Sequence, residues 1–307
     1  MRKACLNAVY QLAQEDPRVV FIGSDLGPGT LAEFHRDMPD RFFMEGISEQ
    51  HIIGMAAGLA LSGHVPYVNT IATFVTRRCY EQVAIDLCLQ NLPVRLIGNG
   101  GGLVYAPLGP THLATDDLAL MTALPNMTVV APSDAKEMAQ LMPQLHRLPG
   151  PAYVRLAKGG DPIVARGSPS RLGMANPLTE TGRVQLLTTG IMAQRALATR
   201  DMLMEMGVSC GVLHLHTVKP LDQASIVEWV ACAELVVVLE EHSEYGGLGP
   251  AVLKAVSANA PASLPRVRCL ALPDAYPKEY GTQDGLLERY GLAPQDIVSY
   301  VISALNG

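Results

Sequence analysis

The sequence is short of the features that would mark several common functions. Its six cysteines, Cys5, Cys79, Cys88, Cys210, Cys232 and Cys269, form no C-x-x-C pair, and none stands at a zinc-ligand spacing from a histidine. No metal site of the chain's own is therefore expected. Scattered thiols in a large core fit a reducing compartment. Positive charge is scarce: 23 Lys and Arg against 29 Asp and Glu leave a net charge of −6. That argues against nucleic acid or an anionic membrane surface as the main partner. No stretch of about 20 residues is free of polar breaks, so no membrane span is expected. The opening Met1-Arg2-Lys3-Ala4-Cys5 leads into an amphipathic helix and lacks the apolar core of a signal peptide. The expected location is the cytoplasm. Internal repeats and low-complexity tracts are also missing.

What is present is apolar residues, 49% of 307, enough for two domains of ordinary size. Short β-rich runs fall at Arg18–Gly23, Val65–Thr70, Val94–Gly98, Met127–Ala131 and Ala152–Leu156. A second set falls at Val184–Thr189, Gly211–Leu215, Glu234–Leu239 and Arg266–Ala271. Helical patterns lie between them, near 3–14, 49–62, 76–90, 114–123, 133–146, 191–206, 223–231 and 247–258. Apolar strands alternating with helices predict two doubly wound α/β domains with parallel sheets. A polar stretch rich in Gly, Pro and Ser separates the sets. The expected organisation is a domain over 1–160, a linker over 161–180 and a second domain over 181–307.

Glu45-Gly46-Ile47-Ser48-Glu49-Gln50-His51 puts a carboxylate at the mouth of a helix apolar on every side. Such a helix is buried in a large core or against another subunit. An unpaired acid there is costly to ionise, so its pKa should rise, which suits proton transfer. Glu49 is the first catalytic candidate; the plainer reading is that it caps the helix N-terminus. Gly98-Asn99-Gly100-Gly101-Gly102 follows a strand and could cradle a phosphate with backbone N–H groups, or be a flexible surface loop. It is no dinucleotide fingerprint, since Leu103 stands where glycine is needed and Pro107 and Pro110 prevent a long helix. His112, in Gly109-Pro110-Thr111-His112, could be an acid, a base or a substrate contact, or only a cap. Phe74, Arg77 and Tyr80 are spaced to share a helix face that could stack a flat ring, or simply face the core. Arg2, Arg155 and Lys158 are the basic residues best placed for an anion, Arg155 at a strand end where α/β ligands sit.

In order along the chain, these pieces resemble the C-terminal half of the transketolase family of thiamine-diphosphate enzymes. The matching segments include Arg2-Lys3-Ala4, Ser24-Asp25-Leu26-Gly27-Pro28, Gly46 to His51, Thr73-Phe74 with Tyr80, Gly109 to His112 and Arg155. Lys219-Pro220-Leu221-Asp222, Glu240-Glu241-His242 and Gly281-Thr282-Gln283 follow. The Glu-Gln-His and Gly-Thr-Gln pieces are similar to 1-deoxyxylulose-5-phosphate synthase, a relative. The resemblance implies a pyrimidine-binding domain followed by a transketolase C-terminal-type domain. The family's Gly-Asp-Gly, which with a downstream Asn holds Mg²⁺ and the diphosphate, has no counterpart; in Lys158-Gly159-Gly160-Asp161-Pro162 a proline follows the aspartate. That implies a split enzyme, with a second subunit supplying the metal and diphosphate site, in an α2β2 heterotetramer.

In the family the glutamate matching Glu49 bonds N1′ of the cofactor's aminopyrimidine and so promotes loss of the thiazolium C2 proton. Carry-over makes Glu49 and His112 catalytic. It makes Asp25, Phe74, Arg77 and Tyr80 cofactor-binding. Arg2, His51, Gly100, Leu108, Arg155 and Lys158 fall on substrate positions. Leu108 replaces a family acid that reads the donor's C2-side hydroxyl, and Gly100 replaces a family histidine. The expected reaction is transfer of a two-carbon ketol unit from a ketose-type donor to an aldehyde-type acceptor, with the donor altered. The rivals are the beta subunit of a 2-oxo acid dehydrogenase E1 component, a carboligase like the synthase, or a silent scaffold subunit, against which intact Glu49 and Phe74 argue.

Overall fold

The computed structural model describes residues 1–24, 29, 31–164, 169–259 and 265–306. The strands are β1 (Val19–Gly23), β2 (Phe42–Met44), β3 (Val65–Ile71), β4 (Arg95–Asn99), β5 (Thr128–Val130), β6 (Ala152–Leu156), β7 (Asn176–Pro177), β8 (Val184–Thr188), β9 (Cys210–His214), β10 (Thr217–Lys219), β11 (Leu235–Ser243) and β12 (Arg266–Leu272). The helices are α1 (Arg2–Glu15), α2 (Ala32–Asp37), α3 (Glu49–Leu61), α4 (Tyr80–Gln82), α5 (Asp117–Ala123), α6 (Ala135–His146), α7 (Met192–Glu205), α8 (Gln223–Val230), α9 (Leu248–Asn259), α10 (Gln283–Arg289) and α11 (Pro294–Asn306). Two π-helical turns, Phe74–Arg78 and Val83–Leu89, flank α4 and make one long irregular helix with it.

The strands form two sheets, in the orders β10-β5-β6-β4-β3-β1-β2 and β12-β11-β8-β9-β7. Every pairing is parallel except those of β10 with β5 and β7 with β9. Parallel sheets need both faces covered, and their strands read as unbroken apolar runs for that reason. In β1, Ile22 packs into the core beneath α3 and the π turns, while Phe21 faces α1 and α6. In the second sheet Leu186 and Val237 face α7 and α11, whereas Leu187 and Val238 face α8 and α9.

The two halves of the chain are stitched together. The expected linker carries β7, which edges the second sheet. β10, from the second half, edges the first sheet. Lys219 at its end donates to the Thr122 and Leu124 carbonyls at 2.9 and 2.5 Å, satisfying the C-terminus of α5. Between the sheets, Glu137 on α6 meets His214 on β9 at 2.9 Å, both without exposed side-chain surface. Glu137 also accepts from Ser133 N, Ser170 Oγ and Asn176 Nδ2. Burial pushes its carboxyl up, but His214 and these bonds outweigh that and hold it well below the usual range. Burial lowers neighbouring His216 to about 4.

Both shifts make the folded state less stable in acid than at neutral pH. The unfolded chain takes up the His216 proton near pH 6.5, whereas the folded chain resists until about pH 4. Stability is therefore complete above pH 6.5 and falls toward pH 4, with protonation of Glu137 adding a further loss below its unfolded range. Melting temperatures measured from pH 7 to pH 4 should show this decline. His216→Asn, which cannot take the proton, should flatten it between pH 6.5 and 4. An unchanged slope would assign the decline to other groups.

Candidate active site

Ser24, just past β1, and Glu49, first residue of α3, face each other. Ser24 Oγ donates to Gly46 O at 2.6 Å, accepts from Ser48 N at 3.2 Å and lies 3.3 Å from Glu49 Oε1. This fixes the turn that delivers Glu49 into the interior, where it is only 2% exposed. It is not the unpaired acid expected from sequence. Arg78 Nη1 donates to Glu49 Oε2 at 2.7 Å. The same guanidinium lies 4.0 Å from the centroid of the Phe74 ring, and His112 meets Phe74 edge-on at 5.3 Å. Glu49, Arg78, Phe74 and His112 thus form a continuous row.

The π turn explains why Arg78, and not Arg77, covers Phe74. A helix with i→i+5 bonding is wider than an α-helix, so residue i+4 rather than i+3 comes back above residue i. The common face expected for Phe74, Arg77 and Tyr80 is therefore broken. Arg77 turns away and grips both carboxylate oxygens of Asp116 at 2.9 Å. It walls a cavity of about 250 Å³ shared with Asp116, Ser243 and residues 272–277. Tyr80 stays half-buried against the core beneath α3. Asp25 lies outside the described residues.

The glycine loop is neither a phosphate cradle nor a flexible surface loop. Gly100 N and Gly101 N donate to Leu156 O, Gly102 N to Ala114 O, and Leu103 N to Glu241 Oε1. Those N–H groups are spent on the protein itself. The glycines admit side chains instead: a Cβ would lie 2.2 Å from Tyr105 at Gly100, 2.3 Å from Arg155 at Gly101 and 2.3 Å from Glu241 at Gly102.

Arg155 also differs from its expected role as a channel anion contact. It is 6% exposed, sits 3.0 Å from Asp117 Oδ2, and donates to the Ala114 and Glu241 carbonyls. Tyr153 donates to the same Asp117 oxygen at 2.7 Å. Burial works against the Arg155 charge, but Asp117 and Glu241 outweigh it and raise its pKa. Burial raises Glu241 in turn. Lys158, by contrast, is exposed, and Arg2 is half-exposed. A Cβ on Gly159 would lie 3.5 Å from the Met1 amino nitrogen, so the loop holding Lys158 runs beside the start of α1. Leu108 is 49% exposed, four residues before His112. The intervening Gly109 adopts φ +79° with no room for a Cβ beside Tyr280. His51 is exposed and lies 3.8 Å from Glu45.

Three participants escaped the sequence reading: Ser24, Arg78 and the Asp116-Asp117 pair. The signals available were the tandem arginines Arg77-Arg78 and the two adjacent acids at the start of α5. The arrangement fits the pyrimidine end of thiamine diphosphate, with an aromatic face beside a buried carboxylate. Among the described residues no cluster of His, Cys, Asp and Glu is placed to hold a metal, and the glycine-loop donors are occupied.

The comparisons with known proteins bear on the family and the fold. Residues 1–160 match the family model "Transketolase, pyrimidine binding domain" and residues 173–297 match "Transketolase, C-terminal domain". The 6-deoxy-6-sulfo-D-fructose transketolase subunit SqwH of Clostridium sp. (strain MSTE9) is 33% identical, over 97% of this chain and 92% of that protein. The 1-deoxy-D-xylulose-5-phosphate synthase of Symbiobacterium thermophilum is 37% identical over 95% of this chain, which spans only 45% of that enzyme. A solved structure described as "Split gene transketolase, inactive beta4 tetramer" superposes with a TM-score of 0.90 at 34% identity, covering 99% of this chain and 98% of that one. Matches of this extent run through both sheets, and the chain belongs to the transketolase family.

Proposed function

We propose that this chain is the pyrimidine-binding subunit of a split, thiamine-diphosphate-dependent transketolase. It moves a two-carbon ketol unit from a ketose-type donor to an aldehyde-type acceptor. The observation that carries this reading is the buried Glu49 carboxylate beside Phe74, in a chain whose glycine-loop donors are already taken. A second subunit then supplies the Gly-Asp-Gly site for Mg²⁺ and the diphosphate, in an α2β2 heterotetramer. Exposed Ile47, Leu61, Ile85 and Leu89 support a partner on the side of α3 and the π turns. The split-gene relative, whose beta4 tetramer is inactive, supports a partner as well. We place the pyrimidine-binding domain at 1–160 and the C-terminal domain at 181–307, with 161–180 joining them. Six unpaired cysteines favour a reducing, cytoplasmic setting.

Thiamine diphosphate, when bound, supplies a carbon nucleophile for a carbonyl. The chain's residues prepare for that. Glu49 holds or releases a proton at the aminopyrimidine edge and Phe74 beds its ring; Tyr80, Arg77 and Asp25 are assigned to the cofactor by the family resemblance alone. His112, against Phe74, faces the reacting carbonyl, and Lys158 and Arg2 receive the substrate's anionic group. His51 and, by the family resemblance alone, Gly100 fall on the substrate side. Leu108 offers no acceptor to a donor hydroxyl, so the native donor presents something less polar there. A synthase-like carboligase is the second reading, favoured by the extent of identity to that enzyme.

Glu49→Gln should fold normally yet lose nearly all exchange of the cofactor's C2 proton in the assembled enzyme, since an amide cannot shuttle the proton. Exchange at the wild-type rate would make Glu49 structural. Steady-state kinetics should separate the other side chains. Lys158→Ala and Arg2→Ala should raise KM for anionic substrates about 10–150-fold, the loss of a charge-assisted contact. Leu108→Asp should shift kcat/KM toward xylulose 5-phosphate. Arg155→Ala should instead destabilise the chain by about 3–5 kcal/mol, because Asp117 is left buried and unpaired. A normal melting temperature with raised KM would return Arg155 to the channel.

A further inference from the structure

Arg78 has no part in the function proposed above, yet it touches the two groups that function needs most. Its position is fixed from both directions. The π turn swings its side chain over Phe74, and Gln50 Nε2, on α3, donates to its carbonyl at 3.0 Å. Its guanidinium is a flat cation whose central carbon stands 4.0 Å over the Phe74 ring centroid. One edge nitrogen donates to Glu49 Oε2 at 2.7 Å. An aminopyrimidine bedded on Phe74 and bonded to Glu49 would use the same ring and the same carboxylate. A ring seated on that same face of Phe74 and bonded to Oε2 would have to displace the guanidinium.

We propose that Arg78 is an autoinhibitory gate: it closes the pyrimidine site by competing with the cofactor for Phe74 and Glu49, and it turns outward when the cofactor binds. The proposal rests on the reading of Glu49 and Phe74 as the aminopyrimidine's partners. The asymmetry of burial gives the direction of movement. The Arg78 side chain is 42% exposed and has water to return to, whereas the Glu49 side chain is 1% exposed and has none. If Arg78 leaves alone, Glu49 is stranded as a buried, unpaired carboxylate, which is costly. Departure is therefore favourable only when an incoming hydrogen-bonding ring replaces the guanidinium, so opening and binding are coupled. The closed fraction reduces the apparent affinity in proportion.

The test uses the full chain assembled with its partner subunit and titration calorimetry with thiamine diphosphate and Mg²⁺. Arg78→Ala should bind the cofactor about 5–30-fold more tightly than wild type, the closed population having been removed. Arg78→Lys, which keeps the charge but loses the flat face, should fall between. The Arg78→Ala subunit should melt lower than wild type without cofactor and gain more from adding it. Should Arg78→Ala fail to fold, Arg78→Lys carries the same comparison. Binding no tighter than wild type in a folded variant would overturn the gate and make Arg78 a fixed part of the cofactor bed. Affinity decides the gate, while C2-proton exchange in Glu49→Gln decides the underlying reading, so the two can fail separately.

Discussion

Two adjacent carboxylates at the start of α5 hold the active face to the rest of the molecule. Asp116 grips Arg77 on the π turn, and Asp117, without exposed surface, takes Arg155 and Tyr153 from the end of β6. From Arg155 the chain of contacts crosses to the second half through the Glu241 carbonyl. The Glu241 side chain returns to Leu103 N and also accepts from Gln283. A charged network this deep costs desolvation at every member and persists only if each is paired and bonded. Its consequence is positional. The helix carrying Phe74 and Arg78, the glycine loop and the C-terminal sheet cannot shift independently.

That coupling is repeated away from the site. β10 completes the first sheet with residues from the second half, Lys219 satisfies the end of α5, and Glu137 pairs with His214 between the sheets. The site is thus built on a frame in which each half supplies parts of the other. Such a frame suits the proposed site, which would present one wall of a cofactor pocket to another subunit.

The long parallel strands were legible because burial on both faces demands unbroken β-rich runs, and Val19–Gly23, Ala152–Leu156 and Val184–Thr188 stand almost where those runs predict. β2, β7 and β10, each two or three residues long, were not read as strands. Helix α3 was placed correctly and is apolar all round, but within this chain one side is open, with Leu61 71% exposed. The side-chain placements that differ from expectation have two causes. Spacing arguments assume α-helical geometry and solvent-facing strand ends. The π turn broke the first assumption at Arg77 and Arg78, and the buried Asp117 broke the second at Arg155. Gly100 to Gly102 looked like an anion cradle because sequence cannot show that Tyr105, Arg155 and Glu241 fill the space the missing Cβ atoms leave.

The central claim is that this chain holds one end of the cofactor and depends on another chain for the other. The most direct measurement is calorimetric titration of thiamine diphosphate with Mg²⁺ into the chain alone and into the chain mixed with a subunit bearing Gly-Asp-Gly. The account predicts micromolar binding only for the mixture. Micromolar binding by the isolated chain would contradict it.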